Sequence, residues 1–304
     1  MLDFTLGSRE PGNGSTQRER VPAMARAYSF PARQRQGKVE WLGALRAHLT
    51  MTGAFSFVIL RCLRSRAPKD TRAMTAPFTG FPKDFFAFFR ELKAHNERPW
   101  FEENKQRFRD SVQAPMSAFI SAMAPRLSKI SKSFVADPRP NGGSMFRIYR
   151  DIRFSKDKRP YKEHAACNFR HAAGKDVHAP GFYMHFAPGE VFFGGGMWMP
   201  PPDALARIRE AIARKPAVWK VVKSDRAFVR MLNGVEGEAL SRPPRGFGPE
   251  HPMIEDIKKK SFFAMHESSV KAAGSAKLLD EVAQSFAAVA PLMKFLCNSQ
   301  GVKF

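Results

Sequence analysis

Between residues 145 and 193 the chain contains four short segments that are rich in aromatic residues or alternate polar with apolar side chains. They lie at 145–149, 166–170, 182–186 and 190–193, and Gly and Pro residues separate them, as in the turn APGE at 187–190. Short strands joined by tight turns pair with their neighbours in antiparallel fashion. The pattern therefore predicts a mainly antiparallel sheet, with a further short strand at about 261–265.

Segments with helical periodicity flank this sheet on both sides. In the first of them, Phe85, Phe89 and Leu92 share one face, which predicts an amphipathic helix with a buried aromatic stripe. The fold class that follows is α+β, with N-terminal helices, a central mainly antiparallel sheet and C-terminal helices in a single globular domain. The predicted helical segments are 81–96, 96–113, 115–130, a helix that begins near 203, 216–224, 225–232 and 276–296.

The first 73 residues differ from the rest of the chain. They contain thirteen Lys and Arg residues against five Asp and Glu, and they show no sustained helical or strand period. We predict a disordered basic extension at 1–73, or an upstream segment that results from a wrongly assigned start at Met1 instead of Met74. Residues 74–304 are then the single α+β domain. The one apolar run of the extension, 49–60, is too short to span a bilayer, so no membrane span is predicted.

Composition narrows the choice of partners and compartment. The formal net charge is +22, which favours an anionic small molecule or a nucleic acid as partner, although charge also serves solubility. Three scattered cysteines, Cys62, Cys167 and Cys297, form neither a disulfide framework nor a zinc motif. These features favour a reducing compartment, and we predict a cytoplasmic protein. The oligomeric state is left open.

The stretch 145–162, MFRIYRDIRFSKDKRPYK, concentrates positive charge; we call its residues 147–162 the signature. The signature contains seven bases and only the two acids Asp151 and Asp157. Ordering so many cations is unfavourable unless an anionic ligand, internal ion pairs, or both neutralise them. The bases are Arg147, Arg150, Arg153, Lys156, Lys158, Arg159 and Lys162.

We expect this stretch to bind a phosphate- or carboxylate-bearing ligand. In a strand at 145–149, Arg147 and Tyr149 would share one face. The guanidinium groups just after this strand would form hydrogen bonds with a planar anion. Residues on the following loop would close over that anion, with Pro160 stiffening the approach. The alternative is an ion-pair network that merely pins a loop to the sheet. The predicted ligand-binding residues are Arg147, Arg150, Asp151, Arg153, Lys158, Tyr161 and Lys162.

An enzymatic interpretation rests on fewer residues. Asp151 and Lys158 are the candidates for catalysis, since nuclease-like sites combine carboxylates with a lysine. Histidines recur every seven residues at 164, 171, 178 and 185, but this is no recognised ligand spacing, and neither a metal nor a cofactor is predicted. The glycines at 194–196 fit no phosphate-binding motif, and we expect them at the exit of a strand, where they allow a close backbone approach or a bulge.

From residue 78 onward the chain resembles a bacterial family of conserved hypothetical proteins that is catalogued as domain of unknown function 2461. The resemblance rests mainly on RIYRDIRFSKDKRPYK at 147–162, supported by NERPWFEENKQRF at 96–108, GGGMWMP at 194–200 and HPMIEDIKKKSFF at 251–263. It implies one domain beginning near Met74 and transfers no catalytic role to any residue.

Three classes of function follow from the sequence. The first is binding of a phosphate- or carboxylate-bearing ligand or another polyanion by the signature, which we favour. The second is a hydrolase or nuclease-like enzyme acting on a phosphorylated substrate. The third is a structural or interaction protein with an internal ion-pair network. The geometry of the signature should distinguish them, because each class places its cations differently.

Overall fold

The structure, a computed structural model, describes residues 78–174 and 180–304. The extension predicted at 1–73 and His178 lie outside these residues. The single domain over 74–304 therefore stays a prediction, while the α+β class is confirmed by helices packed on one antiparallel sheet. None of the helices in the described part of the chain has both the length and the apolar character needed to cross a membrane.

Five strands form the sheet in the order in which they occur along the chain. All neighbours are antiparallel, and Cys167 lies opposite Met184, which in turn lies opposite Phe193. The predicted turn at 187–190 is confirmed: Pro188 and Gly189 connect two strands, and Gly189 takes the positive φ of +82° that a type II turn requires. The strands are β1 (Phe134–Val135), β2 (Ala165–His171), β3 (Gly181–Ala187), β4 (Glu190–Met197) and β5 (Phe262–Ser268).

One predicted strand is wrong. Residues 145–149 make only two isolated bridges. Met145 pairs with Cys167 of β2, and Tyr149 pairs with Tyr161, near the end of the stretch 145–162. The chain follows the edge of β2 for a few residues and then turns away to pair with itself, because a backbone hydrogen bond joins Lys162 N–H to Ile148 O. The predicted alternation of side chains is confirmed at Ile148, which is buried, and at Arg147, which is exposed.

Ten α-helices are described within residues 78–174 and 180–304. The helix predicted at 96–113 is divided: its last part, Arg109–Gln113, is a π-helical turn in which the N–H of Ala114 reaches back five residues to Arg109 O. Pro115 has no N–H to continue the ordinary ladder, so the wider turn is accommodated there. The helices are α1 (Lys83–Ala94), α2 (Arg98–Glu103), α3 (Lys105–Phe108), α4 (Ala114–Ile130), α5 (Pro202–Arg214), α6 (Pro216–Ser224), α7 (Arg226–Met231), α8 (Ile254–Ile257), α9 (Val270–Ala273) and α10 (Leu278–Ser299).

The helices pack on one face of the sheet and bury a core dominated by aromatic rings. Phe81, just before α1, and Phe85 of α1 pack with Phe119 of α4 and Phe186 of β3, with ring centroids 4.3 to 6.4 Å apart. The aromatic stripe predicted for α1 is therefore confirmed. Each such ring removes a large apolar area from water, worth roughly 2–3 kcal/mol per side chain before entropy is counted.

The opposite face of the sheet has a different chemistry. On β2 and β3, Asn168, Tyr183 and His185 alternate with the core residues, and each of the three is less than a tenth exposed. Burying polar groups without partners is unfavourable. Buried polar groups therefore usually form hydrogen bonds with one another, with water or with a ligand. This polar face of the sheet borders the signature.

Glycines at 194–196 lie inside β4, not at its exit as expected from the sequence. A Cβ atom built on Gly194 would lie 2.0 Å from Ala264 O of β5, and Gly196 has a φ of +151° and a similarly close approach to Phe262 O. The expected close backbone approach is thus confirmed, and it occurs between β4 and β5.

We predict that Gly194→Ala destabilises the protein by about 3 kcal/mol, because backbone atoms of β5 would have to move apart from the new methyl group. Urea unfolding monitored by circular dichroism measures the difference. Gly274→Ala is the matched control, since its Cβ would make only ordinary contacts, the nearest at 3.6 Å. Equal stability of the two variants would contradict the close approach.

Candidate anion-binding site

The signature forms a loop whose two ends are joined. Tyr149 and Tyr161 face each other in an antiparallel bridge, and backbone hydrogen bonds of 2.8 Å run from Arg150 N–H to Pro160 O and from Lys162 N–H to Ile148 O. Residues 150–160 project from this base, and we call them the signature loop. The two ends of the signature are therefore neighbours in space, although the sequence separates them by more than ten residues.

The base of the signature loop is anchored to the helices. The side-chain amide of Asn96, between α1 and α2, accepts a hydrogen bond from Tyr161 N–H and donates one to Tyr161 O, both at 3.1 Å. The ring of Tyr161 stacks on Phe101 with centroids 4.2 Å apart, and burial raises the pKa of its hydroxyl. Tyr161, expected from the sequence to close over a ligand, is placed by the structure in the core as an anchor.

Three guanidinium groups of the signature, two of them predicted ligand-binding residues, pair with acids of the same segment. Arg153 forms a two-pronged pair with Asp151, at 3.0 and 2.7 Å, and these hydrogen bonds hold the pKa of Asp151 down to about 2. Arg159 and Arg150 both bind Asp157, with closest distances of 2.7 and 2.8 Å, and keep the pKa of that carboxyl well below its ordinary value. These three arginines therefore form ion pairs within the signature, as the alternative of an internal ion-pair network predicts.

The two candidates for catalysis are placed at different points of this network. The carboxylate of Asp151 is occupied by Arg153, while the ammonium group of Lys158 donates to Ile152 O at 3.1 Å. Within residues 78–174 and 180–304, no group of three or more His, Cys, Asp or Glu side chains is close enough to hold a metal ion. His171, for example, lies near the C-terminus, where its ring nitrogen contacts Lys303 O at 2.6 Å.

Two cations at the base of the signature loop remain without a carboxylate. Among the described residues the guanidinium of Arg147 has no hydrogen-bond or ion-pair partner, and the ammonium of Lys162 reaches only Arg147 O, at 3.0 Å, and the face of Phe146. Burial, together with the charges of Arg147 and Arg150, lowers the pKa of Lys162 to about 8. Neighbouring cations that repel one another favour an anion beside them.

A pocket of about 270 Å³ lies against the polar face of the sheet, and of these two cations Arg147 lines it. Arg147, Asn168 and Arg170 line it together with a glycine-containing loop at 140–144. Asn168 is buried, and its amide oxygen has no hydrogen-bond partner in the described part of the chain. The loop is held by the Ser144 hydroxyl, which accepts from Asp137 N–H at 2.9 Å and donates to Val135 O at 3.2 Å.

Sequence reasoning did not single out Asn96, Asn168 or Arg170. The sequence contained two signals for the pocket. One is the run NGGS at 141–144, directly before the stretch 145–162, and the other is the alternation of Asn168 and Arg170 with apolar residues in a predicted strand. Asn96 carries no such signal, since its partner Tyr161 is 65 positions away.

A cluster of titratable side chains continues the polar face beyond Lys162. The ring centroids of His164 and His185 are 4.3 Å apart, and the ring of His185 also stacks on Phe192. The hydroxyl oxygen of Tyr183 lies 3.3 Å from Nδ1 of His185, within hydrogen-bond distance. Burial, and then the charges of Lys162 and Arg150, lower the pKa of His164 to about 4. Burial and the neighbouring His164 lower that of His185 as well, so both imidazoles are neutral at pH 7.

We predict that these histidines make the fold sensitive to acid. Because the folded-state pKa of His164 lies below the ordinary 6.5, the unfolded chain binds more protons between these values, and stability falls as pH drops from about 6.5 towards 4. Each buried histidine contributes up to about 1.4 kcal/mol per pH unit in this range. Urea unfolding of the wild type and of His164→Asn over this range measures the slope.

The substitution should flatten the pH dependence of the unfolding free energy by up to one proton's share. His95→Asn, at an exposed position, serves as control and should leave the slope as in the wild type. If His164→Asn leaves the slope unchanged, the pKa of His164 is the same in the folded and the unfolded chain, which would contradict the prediction.

Comparison with known proteins identifies the family. A search of curated proteins returns no match to this chain. The family of conserved hypothetical proteins named DUF2461 matches residues 84–295, a range that includes the sheet, the signature and most of the helices. The resemblance noted in the signature is thereby confirmed, and the chain belongs to the DUF2461 family.

Proposed function

We propose that this protein binds a small phosphate- or carboxylate-bearing molecule in the pocket beside Arg147. The observation that carries the proposal is the pair Arg147 and Lys162, two neighbouring cations that no carboxylate of the described residues neutralises. An internal network accounts for Arg150, Arg153 and Arg159, whose partners are identified. It does not account for the cations at the base of the signature loop.

Electrostatics supports an anion at this place. The charges of Arg147 and Arg150 help to lower the pKa of Lys162, so these cations repel one another, and an anion beside them would convert the repulsion into attraction. A guanidinium offers paired N–H donors that match the oxygens of phosphate or carboxylate, while an ammonium contributes a point charge. Arg147 would supply the first kind of contact and Lys162 the second.

The pocket fits a ligand of modest size. Ligand sites in proteins usually enclose about 300–1,000 Å³, and the 270 Å³ here lies just below that range. The amide of Asn168 can present either its oxygen or its NH₂ group, so it suits a ligand that carries a hydroxyl beside its anionic group, or the anion itself. Arg170 is a second guanidinium along the wall. The chemistry favours a small molecule with one anionic group and further polar atoms.

The remaining predicted site residues take supporting roles in this proposal. Asp151 and Arg153 hold each other, Arg150 joins Asp157 across the signature loop, and Tyr161 anchors the base. These contacts fix the direction in which the chain leaves Arg147 and returns at Lys162. Preorganised cations bind an anion better than mobile ones, because less conformational entropy is lost on binding.

A second candidate function is acid-base chemistry on the bound molecule. The observation in its favour is the pair of neutral imidazoles of His164 and His185. His164 is close to Lys162 in sequence, and the charge of Lys162 contributes to lowering its pKa. A bound anion would offset the positive charges that depress the pKa of His164 and so make it a better proton acceptor. Such a protein would be a hydrolase or related enzyme on a phosphorylated substrate, with His164, not Asp151, as its base.

We also propose a reducing, cytoplasmic location. The two described cysteines, Cys167 and Cys297, are buried free thiols. Buried thiols behave as small apolar side chains and suit a compartment in which disulfides do not form.

We predict that Arg147→Gln weakens binding of inorganic phosphate at least tenfold, because a charge-assisted hydrogen bond of about 1.5–3 kcal/mol is lost. Isothermal titration calorimetry with phosphate, and with citrate as a carboxylate probe, measures the affinity. The melting temperature should be unchanged, since the guanidinium makes no hydrogen bond among the described residues.

Arg214→Gln is the matched control: this exposed arginine on α5 pairs with Glu210 and lies outside the signature. It should bind phosphate like the wild type. If both variants lose affinity equally, binding reflects net charge alone, and the pocket is not the site.

We further predict that sulfate binding depends on the protonation of Lys162. Sulfate keeps its charge from pH 6 to 9, so its affinity should be constant below the pKa of Lys162 and fall as pH rises through about 8. The decrease is at most tenfold per pH unit, since one proton is involved. Calorimetric titrations across this range should show a nearly flat profile for Lys162→Met. A wild-type profile that is already flat would place Lys162 outside the anion site.

A further inference from the structure

Phe154 stands at the tip of the signature loop with 76% of its surface exposed. It is far more exposed than Tyr149, at 46%, the other large aromatic residue that is strongly exposed in the described part of the chain. A single exposed apolar side chain is common on protein surfaces, but here the ring is surrounded by exposed basic side chains, and aromatic rings and cations are combined in this way where proteins bind single strands. This feature takes no part in the small-anion pocket.

We propose that the tip of the signature loop binds single-stranded nucleic acid, with a base stacked on Phe154 and the backbone phosphates contacted by the surrounding cations. The surface consists of Phe154, Arg153, Lys156 and Lys158, all exposed. Aromatic rings on which bases stack, combined with basic side chains that follow the phosphates, are the recurring means of single-strand binding.

The tip is held in shape by the chain itself. Ile152 O accepts a hydrogen bond from Ser155 N–H at 3.4 Å and another from the ammonium of Lys158 at 3.1 Å, which closes a turn with Phe154 inside it. The pair of Arg153 and Asp151 braces the segment that leads into this turn. The backbone that carries the ring is therefore held in shape before a partner binds.

Charge around the ring points to a polyanion. The guanidinium carbon of Arg153 is 5.7 Å from the centroid of Phe154, and its side chain stays 76% exposed in spite of the pair with Asp151. Lys156 has no carboxylate partner among the described residues and is exposed beside the turn. A base stacked on the ring would thus bring its phosphates within reach of at least two cations.

Among polyanionic partners, a single strand fits this surface best. In a duplex the base faces are already stacked on one another, whereas unpaired bases offer a free face to an aromatic ring. Insertion into a bilayer needs a broader apolar surface, and the neighbours of Phe154 along the chain are Arg153, Ser155 and Lys156. Stacking requires only the one ring that the tip provides. The net charge of +22 favours the encounter with any nucleic acid.

Fluorescence anisotropy of a labelled oligo(dT) strand at low salt, titrated with the full chain, tests the proposal. We expect Phe154→Ala to weaken binding by about tenfold, within the range known for removal of one stacking ring. Phe154→Trp should bind at least as tightly as the wild type, and its added fluorescence should be quenched by the strand. Phe154→Leu keeps an apolar side chain without a π face and should resemble Phe154→Ala.

The control variant is Val221→Ala, which removes another exposed apolar side chain, 68% exposed on α6. It should leave binding unchanged. Melting temperatures of all four variants should stay close to that of the wild type, because both positions are exposed. Phosphate affinity measured on Phe154→Ala should also be unchanged, so a failure here is distinct from a failure of the small-anion pocket.

Two results would overturn the proposal. One is equal affinity of Phe154→Ala and the wild type for the strand. The other is a blue shift of Phe154→Trp emission with phosphatidylglycerol vesicles, accompanied by loss of vesicle binding in Phe154→Ala and no effect on the strand, which would assign the tip to a lipid surface.

Discussion

The hydrogen bonds between Asn96 and Tyr161 determine where the signature can go. The side-chain amide of Asn96 binds both the N–H and the C=O of Tyr161, as the backbone of a neighbouring β-strand would. It thereby attaches the C-terminal end of the signature loop to the turn between α1 and α2. Phe101 supports the ring of Tyr161 from below. Because Tyr149 pairs with Tyr161, both ends of the signature are fixed by this single attachment. The positions of Arg147 and Lys162 follow from it.

The sheet divides the protein into two environments with different rules. On the helical face, burial of apolar rings supplies the driving force, and the strand period of two selects which side chains enter the core. On the polar face, Asn168, Tyr183 and His185 are buried, and the amide oxygen of Asn168 has no hydrogen-bond partner among the described residues. Burying such an atom reduces the free energy that the core provides. The proposed ligand would explain why polar residues lie beside the pocket, where apolar residues would give more stability.

Periodicity was sufficient to predict the elements whose contacts are local or repeat along the chain. The stripe of Phe85, Phe89 and Leu92 predicted α1, and alternation predicted β2 and β3 to within one residue at each end. What could not be predicted is pairing across the chain. The strand at 145–149 failed because its second half pairs with the return of its own loop. Likewise, whether a guanidinium meets a carboxylate or stays free depends on distances of ångströms, which composition does not contain.

The way in which acids are distributed within the signature separates its cations into two groups. Asp151 and Asp157 each pair with the arginine two positions later, so the flanks of the signature loop are close to neutral. Positive charge therefore persists at the base, on Arg147 and Lys162, and at the tip, around Phe154. The half-buried Lys162 at the base has no carboxylate partner among the described residues, and the same holds for Lys156 at the tip. The ion pairs thus neutralise the middle of the signature loop and leave cations without a carboxylate at its base and at its tip, which is the arrangement that the two proposed binding sites require.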